Sequence, residues 1–252
     1  MKKTVLAILM ATVLVSCHDG NIGEKNVVDD VNNDLNLSYG NDEDLQKRVS
    51  ENVPVKPFEQ IVIAGSYHVY YTQDEKISVR VEGRLGDLKR MVVTSDGTTL
   101  KIKTKSLRKD LKSILGKSMK EVNVYVSSPD LVQVSLAGSG EFEANGNVDT
   151  DKLDLKLAGS GDIDFHQVVC DDIEVELAGS GEVDVKSIDV NNARISIAGS
   201  GDVDMNFVRA DYVEAHVAGS GDIKLSGKAK KVEHKVAGSG DVDIKNLQTG
   251  GK

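Results

Sequence analysis

The chain has 252 residues, a formal net charge of −9, 4% aromatic residues, no Trp and two Cys. An acidic surface with so few rings argues against nucleic-acid binding, which needs basic patches and stacking platforms. Two cysteines cannot build a disulfide framework.

The N-terminus reads as a targeting segment. Lys2 and Lys3 precede an apolar run of twelve residues, 4–15. As a helix, twelve residues cannot cross a bilayer core of ~30 Å, which takes about twenty. A short positive region followed by a short apolar run is the pattern of a secretory signal. The run ends in Leu14-Val15-Ser16-Cys17, which resembles a lipobox. Residues 1–17 therefore read as a lipoprotein signal peptide, with Cys17 the lipidated residue and a membrane its partner through the lipid anchor. Cys170 is then the remaining thiol, and it reads as a small buried hydrophobe at a coil corner.

Residues 18–52 are rich in Asn, Asp, Glu and Gly without a clear period. They read as a flexible tether. Residues 53–130 read as a β-rich N-terminal part of the folded domain. "IVIAGSYHVYYT" (61–72) is a degenerate opening coil, with Tyr67 where a second Gly is expected. "KISVRVEG" (76–83) is a strand, and 84–93 holds a short helix. Residues 92–105 form a hairpin that turns at Asp96-Gly97. Residues 105–122 are a loop or short helix, and "NVYVSSPDL" (123–131) is another strand. This region is expected to cap the C-terminal half of the domain, because an open stack of strands exposes its edge.

Residues 131–252 repeat. Ala-Gly-Ser-Gly stands at 137–140, 158–161, 178–181, 198–201, 218–221 and 237–240, a spacing close to twenty. The residues one, three and five before each Ala are mostly Val, Ile and Leu, and so are those five and seven after it. Period-two alternation on both arms marks strands with one buried face. A tenth position is apolar in Val168, Ile188, Val208 and Leu247. The expected fold is all-β, a parallel β-solenoid with coils of about twenty residues. A β-propeller is the alternative, but its blades need about forty residues. Each coil is strand, Gly-Ser-Gly bend, strand and polar corner, with Gly where the backbone needs positive φ or close packing.

Two columns of acids should face outward. Four residues after each Ala stand Glu141, Asp162, Glu182, Asp202, Asp222 and Asp241; six after it stand Glu143, Asp164, Asp184, Asp204, Lys224 and Asp243. Stacked like charges suit divalent cations, or else solvation beside Lys156, Lys186 and Lys235. These acids are the candidate interaction face, and no metal site or cofactor is assigned. The repeated Ser reads as a hydroxyl ladder, since a nucleophile is used once. His68, His166, His216 and His234 stand apart from any ligand set, with His216 in an outward phase and His234 in an inward one. No phosphate loop or dinucleotide fingerprint occurs. Residues 101–120 carry eight bases against one acid, while 130–252 carry 23 acids against 12 bases. The basic stretch suits a solvated loop, or contact with anionic lipid or a neighbouring acidic ladder.

The order of these elements resembles a known family. Phe58, Ile61 and Gly65 match F-x-x-I-x-x-x-G, and Val124, Val126, Pro129 and Leu131 match V-x-V-x-x-P-x-L, before the six Gly-Ser-Gly units. Together, over about 57–247, they resemble the head GIN domain family of auto-transporter adhesins. The resemblance implies a β-helical fold in an envelope lipoprotein of a diderm bacterium. It carries over no catalytic residue. The expectation is a membrane-anchored, non-enzymatic protein that displays a solenoid to a protein or glycan partner, or to a second copy of itself. It would sit on the outer membrane, facing the surface or the periplasm. A periplasmic scaffold or envelope-stress protein is the nearer alternative, and a carbohydrate-active β-helix enzyme the more distant one.

Overall fold

The computed structural model describes residues 45–105 and 122–250. The signal peptide, Cys17, most of the tether and most of the basic stretch lie outside them.

A repeating strand explains the whole C-terminal half. β11 (Asp162–Gly179), β12 (Glu182–Gly199) and β13 (Asp202–Gly219) are each 18 residues long, and β14 runs Ile223–Gly238. They pair in parallel, each residue opposite its equivalent one coil on, as Val175 is opposite Ile195 and Ile195 opposite Ala215. In β11 the buried residues are Ile163 and Phe165, then Val168 and Cys170, then Ile173, Val175 and Leu177. Exposed pairs interrupt the alternation at 166–167 and 171–172. Strict alternation cannot turn two consecutive side chains outward, so the chain bends at each pair. Each coil thus has three limbs, 162–165, 168–170 and 173–179, where two arms and one polar corner were expected. The tenth position is the inward residue of the short middle limb. The strand runs on through both corners, although residues 166–167 and 171 have no partner in the register with β12.

The third corner is the Gly-Ser-Gly bend. Gly179 has φ +139°, and a Cβ built on it would sit 2.1 Å from the carbonyl oxygen of Gly159. The Ser180 N–H donates to that same oxygen at 2.8 Å. Glycine is needed here twice over, for its φ and for the backbone contact it permits.

The preceding coils follow the same plan with interruptions. β9 (Glu141–Asp149) and β10 (Lys152–Gly159) stack on β11, and β8 (Gln133–Gly138) stacks on β10. The degenerate copy is the opening coil. β2 (Gln60–Ala64) pairs with β8, β3 (His68–Gln73) pairs with β9, and Gly65 has φ +143°. Tyr67 is buried, with its hydroxyl 2.8 Å from Thr104 Oγ1.

The stretch after β3 folds back over the opening coil as a cap. β4 (Ser78–Arg84), the short helix α1 (Leu85–Leu88), β5 (Met91–Ser95), β6 (Thr99–Thr104) and β7 (Asn123–Ser128) come in that order. β6 and β7 add to the stack in parallel; β4 and β5 close it antiparallel. β1 (Arg48–Asn52) then pairs antiparallel with β4, Ser50 opposite Glu82. The tether boundary at residue 52 is corrected accordingly, because 48–52 are strand. Their polar sequence hid this: an edge strand on a cap needs pairing more than apolar side chains. Val53 and Phe58 then enter the core.

Two positions of the repeat are exposed where their equivalents are buried. Val208 is 56% exposed, while Phe207 is buried and stands opposite Ile188. The register slips by one residue between Ile188 and Asp189, so Val208 bulges outward and the larger Phe207 fills the middle limb. His234 has the inward phase but is exposed. No described strand covers 231–238 on its outer side, since the pairing of β15 (Val242–Thr249) with β14 spans only 223–229. Among the described residues the N-terminal end of the column is capped, while at the other end 231–238 has no strand beyond it.

Candidate interaction face

The limb after each bend holds its outward residues in two columns. Strand register places Glu141, Asp162, Glu182 and Asp202 in one and Glu143, Asp164, Asp184, Asp204, Lys224 and Asp243 in the other. Asp222 and Asp241 continue the first through backbone contacts. The Asp222 N–H donates to Asp202 Oδ1 at 3.0 Å, and the Asp241 N–H to Asp222 Oδ1 at 2.8 Å. All eleven acids predicted from the repeat therefore share one face.

Side chains partner the carboxylates at both ends of the columns, while no ion pair among the described residues reaches Asp162, Asp164, Glu182 or Asp184 in the middle. His68 Nδ1 lies 2.9 Å from Glu141 Oε2 at the capped end. At the other end Lys224 pairs with Asp204, and Lys245 lies 3.4 Å from Asp243. Between them, burial raises the Asp164 carboxyl to about 6, helped by Asp184, Glu141 and Asp162 and opposed by Lys186. Glu182 and Asp184 are raised too, first by burial and then by neighbouring acids. Of the three lysines expected beside the acids, only Lys186 acts on them. Lys156 and Lys235 stand on the third limb, where Lys156 lies 3.5 Å from Glu176. That face is mixed in sign, with Lys152 at 2.9 Å from Asp154 and Arg194 at 3.2 Å from Glu214. The molecule thus has one face of clustered carboxylates and another of paired charges. No group of three or more His, Cys, Asp or Glu among the described residues is arranged to hold a metal ion.

An aromatic cluster at the head of the acidic columns was not anticipated. Tyr70, opposite Glu143, stacks on Tyr125 at 5.3 Å, and Arg80 sits 4.0 Å over the Tyr125 ring. Glu82 takes a hydrogen bond from the Tyr125 hydroxyl at 3.3 Å and pairs with Arg80. Tyrosine and arginine are enriched where proteins meet partners. The alternation in 67–71 and 123–126 was the available signal: it turns Tyr70 and Tyr125 outward while Tyr71 goes in.

Other predicted sites resolve structurally. Ser139, Ser160, Ser180, Ser200, Ser220 and Ser239 are exposed, and from Ser160 onward the bend is held by their N–H groups rather than a hydroxyl ladder, as in Ser160 to Gly138 at 3.0 Å. Burial and the nearby Asp172 and Asp171 push the Cys170 thiol up to about 12, which leaves it unreactive. Of the basic stretch, Lys101 lies 3.1 Å from Asp96, and residues 106–120 fall outside the described part. Among the described residues no helix is long and apolar enough to cross a membrane.

Comparisons agree with this architecture. A family model described as "Putative auto-transporter adhesin, head GIN domain" matches residues 57–187 and 174–251. No curated protein matches the chain. Among solved structures, one described as a putative lipid binding protein from Parabacteroides distasonis aligns with TM-score 0.63 and 21% identity, covering 81% of this chain and 97% of its own. A putative adhesin from Bacteroides fragilis aligns with TM-score 0.63 and 22% identity, covering 78% and 96%. Another from Parabacteroides merdae gives 0.54 and 19%, covering 82% and 97%. At these identities the structures establish the fold. The family model spans well over half of the sequence, and the chain belongs to the head GIN domain family.

Proposed function

We propose that this protein is a lipid-anchored, non-enzymatic component of the bacterial envelope that presents its acidic face to a partner. The observation that carries the reading is the division of charge. Carboxylates recur coil after coil on one limb, with the Tyr70–Tyr125–Arg80 cluster at their head, while the third limb pairs its charges. A catalytic site is a single asymmetric constellation, whereas a repeated face suits an extended contact. The family's adhesin description and the lipobox-like Cys17 support a place in the envelope. A partner would be a protein or glycan that offers basic or hydroxyl-rich groups to the carboxylates.

The test is protease accessibility of the folded domain on intact cells, with a periplasmic protein as control, for the native chain and for Cys17→Ser. Accessible native protein, released from the membrane by Cys17→Ser, supports surface display. A protected domain moves the role to a periplasmic scaffold. Turnover of a uronate polymer, lost when one or two acids are changed, would overturn the non-enzymatic reading.

A further inference from the structure

The ridge formed by the middle limb and the corner after it changes sign along the column. Register stacks the outward residues of the middle limb as Asp149, Val169, Asp189 and Arg209, then Lys228 and Gln248, with Val208 bulging beside Arg209. At the corner, Asn191 Nδ2 donates to Asp171 at 2.7 Å and Asn192 Nδ2 to Asp172 at 2.9 Å. Asn192 stands opposite Tyr212, and Tyr212 opposite Lys231. Lys230 lies 2.8 Å from Asp211. Segments 149–152, 169–172 and 189–192 thus carry five acids against Lys152, whereas 208–212 and 228–231 carry four bases against Asp211. None of the ion pairs among the described residues reaches Asp149, Asp151, Asp171, Asp172 or Lys228.

We propose that this ridge packs side by side against the same ridge of a second copy, with the two columns antiparallel about a two-fold axis that runs along the strands, midway between β12 and β13. The contact leaves the acidic face of the first limb free and does not depend on the lipid anchor.

Charge decides for this occupant. A parallel pair would set every coil against itself, Asp171 on Asp171 and Lys230 on Lys230. Antiparallel columns invert the order of the coils, and the height of the axis fixes which coils meet. Centred on β12, it sets Asp189 on itself, Asp171 on Asp211 and Lys152 on Lys231. Centred on β13, it sets Arg209 and Asp211 each on themselves. Midway, Asp189 meets Arg209, Asp171 meets Lys230 and Asp172 meets Lys231. Asn191 then meets Asp211 and Asn192 meets Tyr212. Each pairing occurs twice, and no like charges oppose one another. Shape agrees with charge. A hollow of about 450 Å³ lies among Val208, Lys228, Lys230 and Gln248. In this arrangement it faces the coil of Val169, a half-buried outward residue that comes to lie beside the exposed Val208. Neither column runs into the other's cap, because β15 falls opposite the coil of Asp149 and Asp151, and the opening coil and cap lie beyond that. The contact is isologous and closes at two copies. Being one short limb wide, it belongs with small transient interfaces of under about 1,200 Å², and salt screens its charges.

The experiment uses the full chain with Cys17→Ser, which cannot be lipidated. Sedimentation equilibrium at low salt, over a concentration series into the millimolar range, should show the mass rising from 27.1 kDa towards twice that value. Added sodium chloride should return it to monomer. Two variants reverse the charges, one with Asp171→Lys and Asp172→Lys, the other with Lys230→Glu and Lys231→Glu. Each alone should weaken self-association about tenfold or more. An equal mixture of the two should dimerise like the native chain, because each reversed acid then meets a reversed base and the native halves meet each other. Circular dichroism confirms that each variant keeps its strands. A native chain that stays monomeric at low salt overturns the proposal; if it then binds heparin, and Lys230→Glu with Lys231→Glu does not, the basic half serves a polyanion instead. A dimer that both variants still form overturns it too, since the contact would lie elsewhere. So does a mixture that stays monomeric, or assembly that continues past two copies.

Discussion

Gly179→Ala probes the bend that every coil shares. At φ +139° any residue but glycine is held in a sparsely populated region, at a cost of about 1–3 kcal/mol. The new Cβ would also stand 2.1 Å from the Gly159 oxygen, where ordinary contact begins near 3.4 Å. The two coils must part by about 1 Å at the bend to admit it. That opening stretches the 2.8 Å bond from Ser180 N–H to Gly159 past useful range, a loss of about 1 kcal/mol. The expected destabilisation is about 2–4 kcal/mol, a large share of the 5–15 kcal/mol typical of a domain. Two substitutions in the same molecule serve as controls. Ser180→Ala removes an exposed hydroxyl and should stay within about 0.5 kcal/mol. Gly146→Ala meets nothing within 4 Å and should be neutral or slightly stabilising. Urea unfolding with a common m-value measures all three. If the midpoint of Gly179→Ala matches that of Ser180→Ala, the bend does not depend on glycine and the reasoning fails.

The register slip in the fourth repeat predicts that Phe207→Ala costs about 3–5 kcal/mol while Val208→Ser is nearly silent. The same urea series would show the reverse order if Val208 held the inward place. Asp164 predicts a pH effect. Its carboxyl is raised to about 6 in the fold against 3.8 for the free side chain, so between those values the native state holds a proton that the unfolded chain lacks. Stability therefore rises as pH falls from 7 through 6, and the ionised group costs stability above it. Asp164→Asn should melt higher than the native chain at pH 8, by less than about 1 kcal/mol because the group is only half-buried. That advantage should shrink at pH 5. Equal advantages at both pH values would refute a carboxyl raised by burial and its acidic neighbours.

What was legible in the sequence was whatever repeats. Ala-Gly-Ser-Gly and its alternating flanks marked the solenoid, the bends and all eleven outward acids, because every coil meets the same surroundings. What escaped was whatever occurs once. Arg48–Asn52 looks like tether because its fold comes from backbone pairing with β4. Phe207 was passed over for Val208 because a bulge breaks the count that a strict period assumes. The third limb boundary was blurred because its middle limb has only two inward residues, Val168 and Cys170 in β11. The Tyr70–Tyr125–Arg80 cluster joins the consecutive strands β3 and β4 to β7, which comes much later in the chain, and no local pattern connects them. His234 shows the opposite limit: its phase was right, but phase alone does not reveal whether a further coil lies outside it.

The Gly-Ser-Gly bend also makes the coils interchangeable. Ser180 meets Gly159 as Ser160 meets Gly138, N–H to carbonyl at 2.8 and 3.0 Å. Excising residues 160–179 would join Gly159 directly to Ser180, which inherits the position and the acceptor that Ser160 had. Every ladder would close over the gap in register, one rung or ~4.8 Å shorter. Duplicating the same span would lengthen it equally. Length in this molecule is counted in whole steps, so recombination within the repeat can move the tip of the column away from its base without redesigning either end.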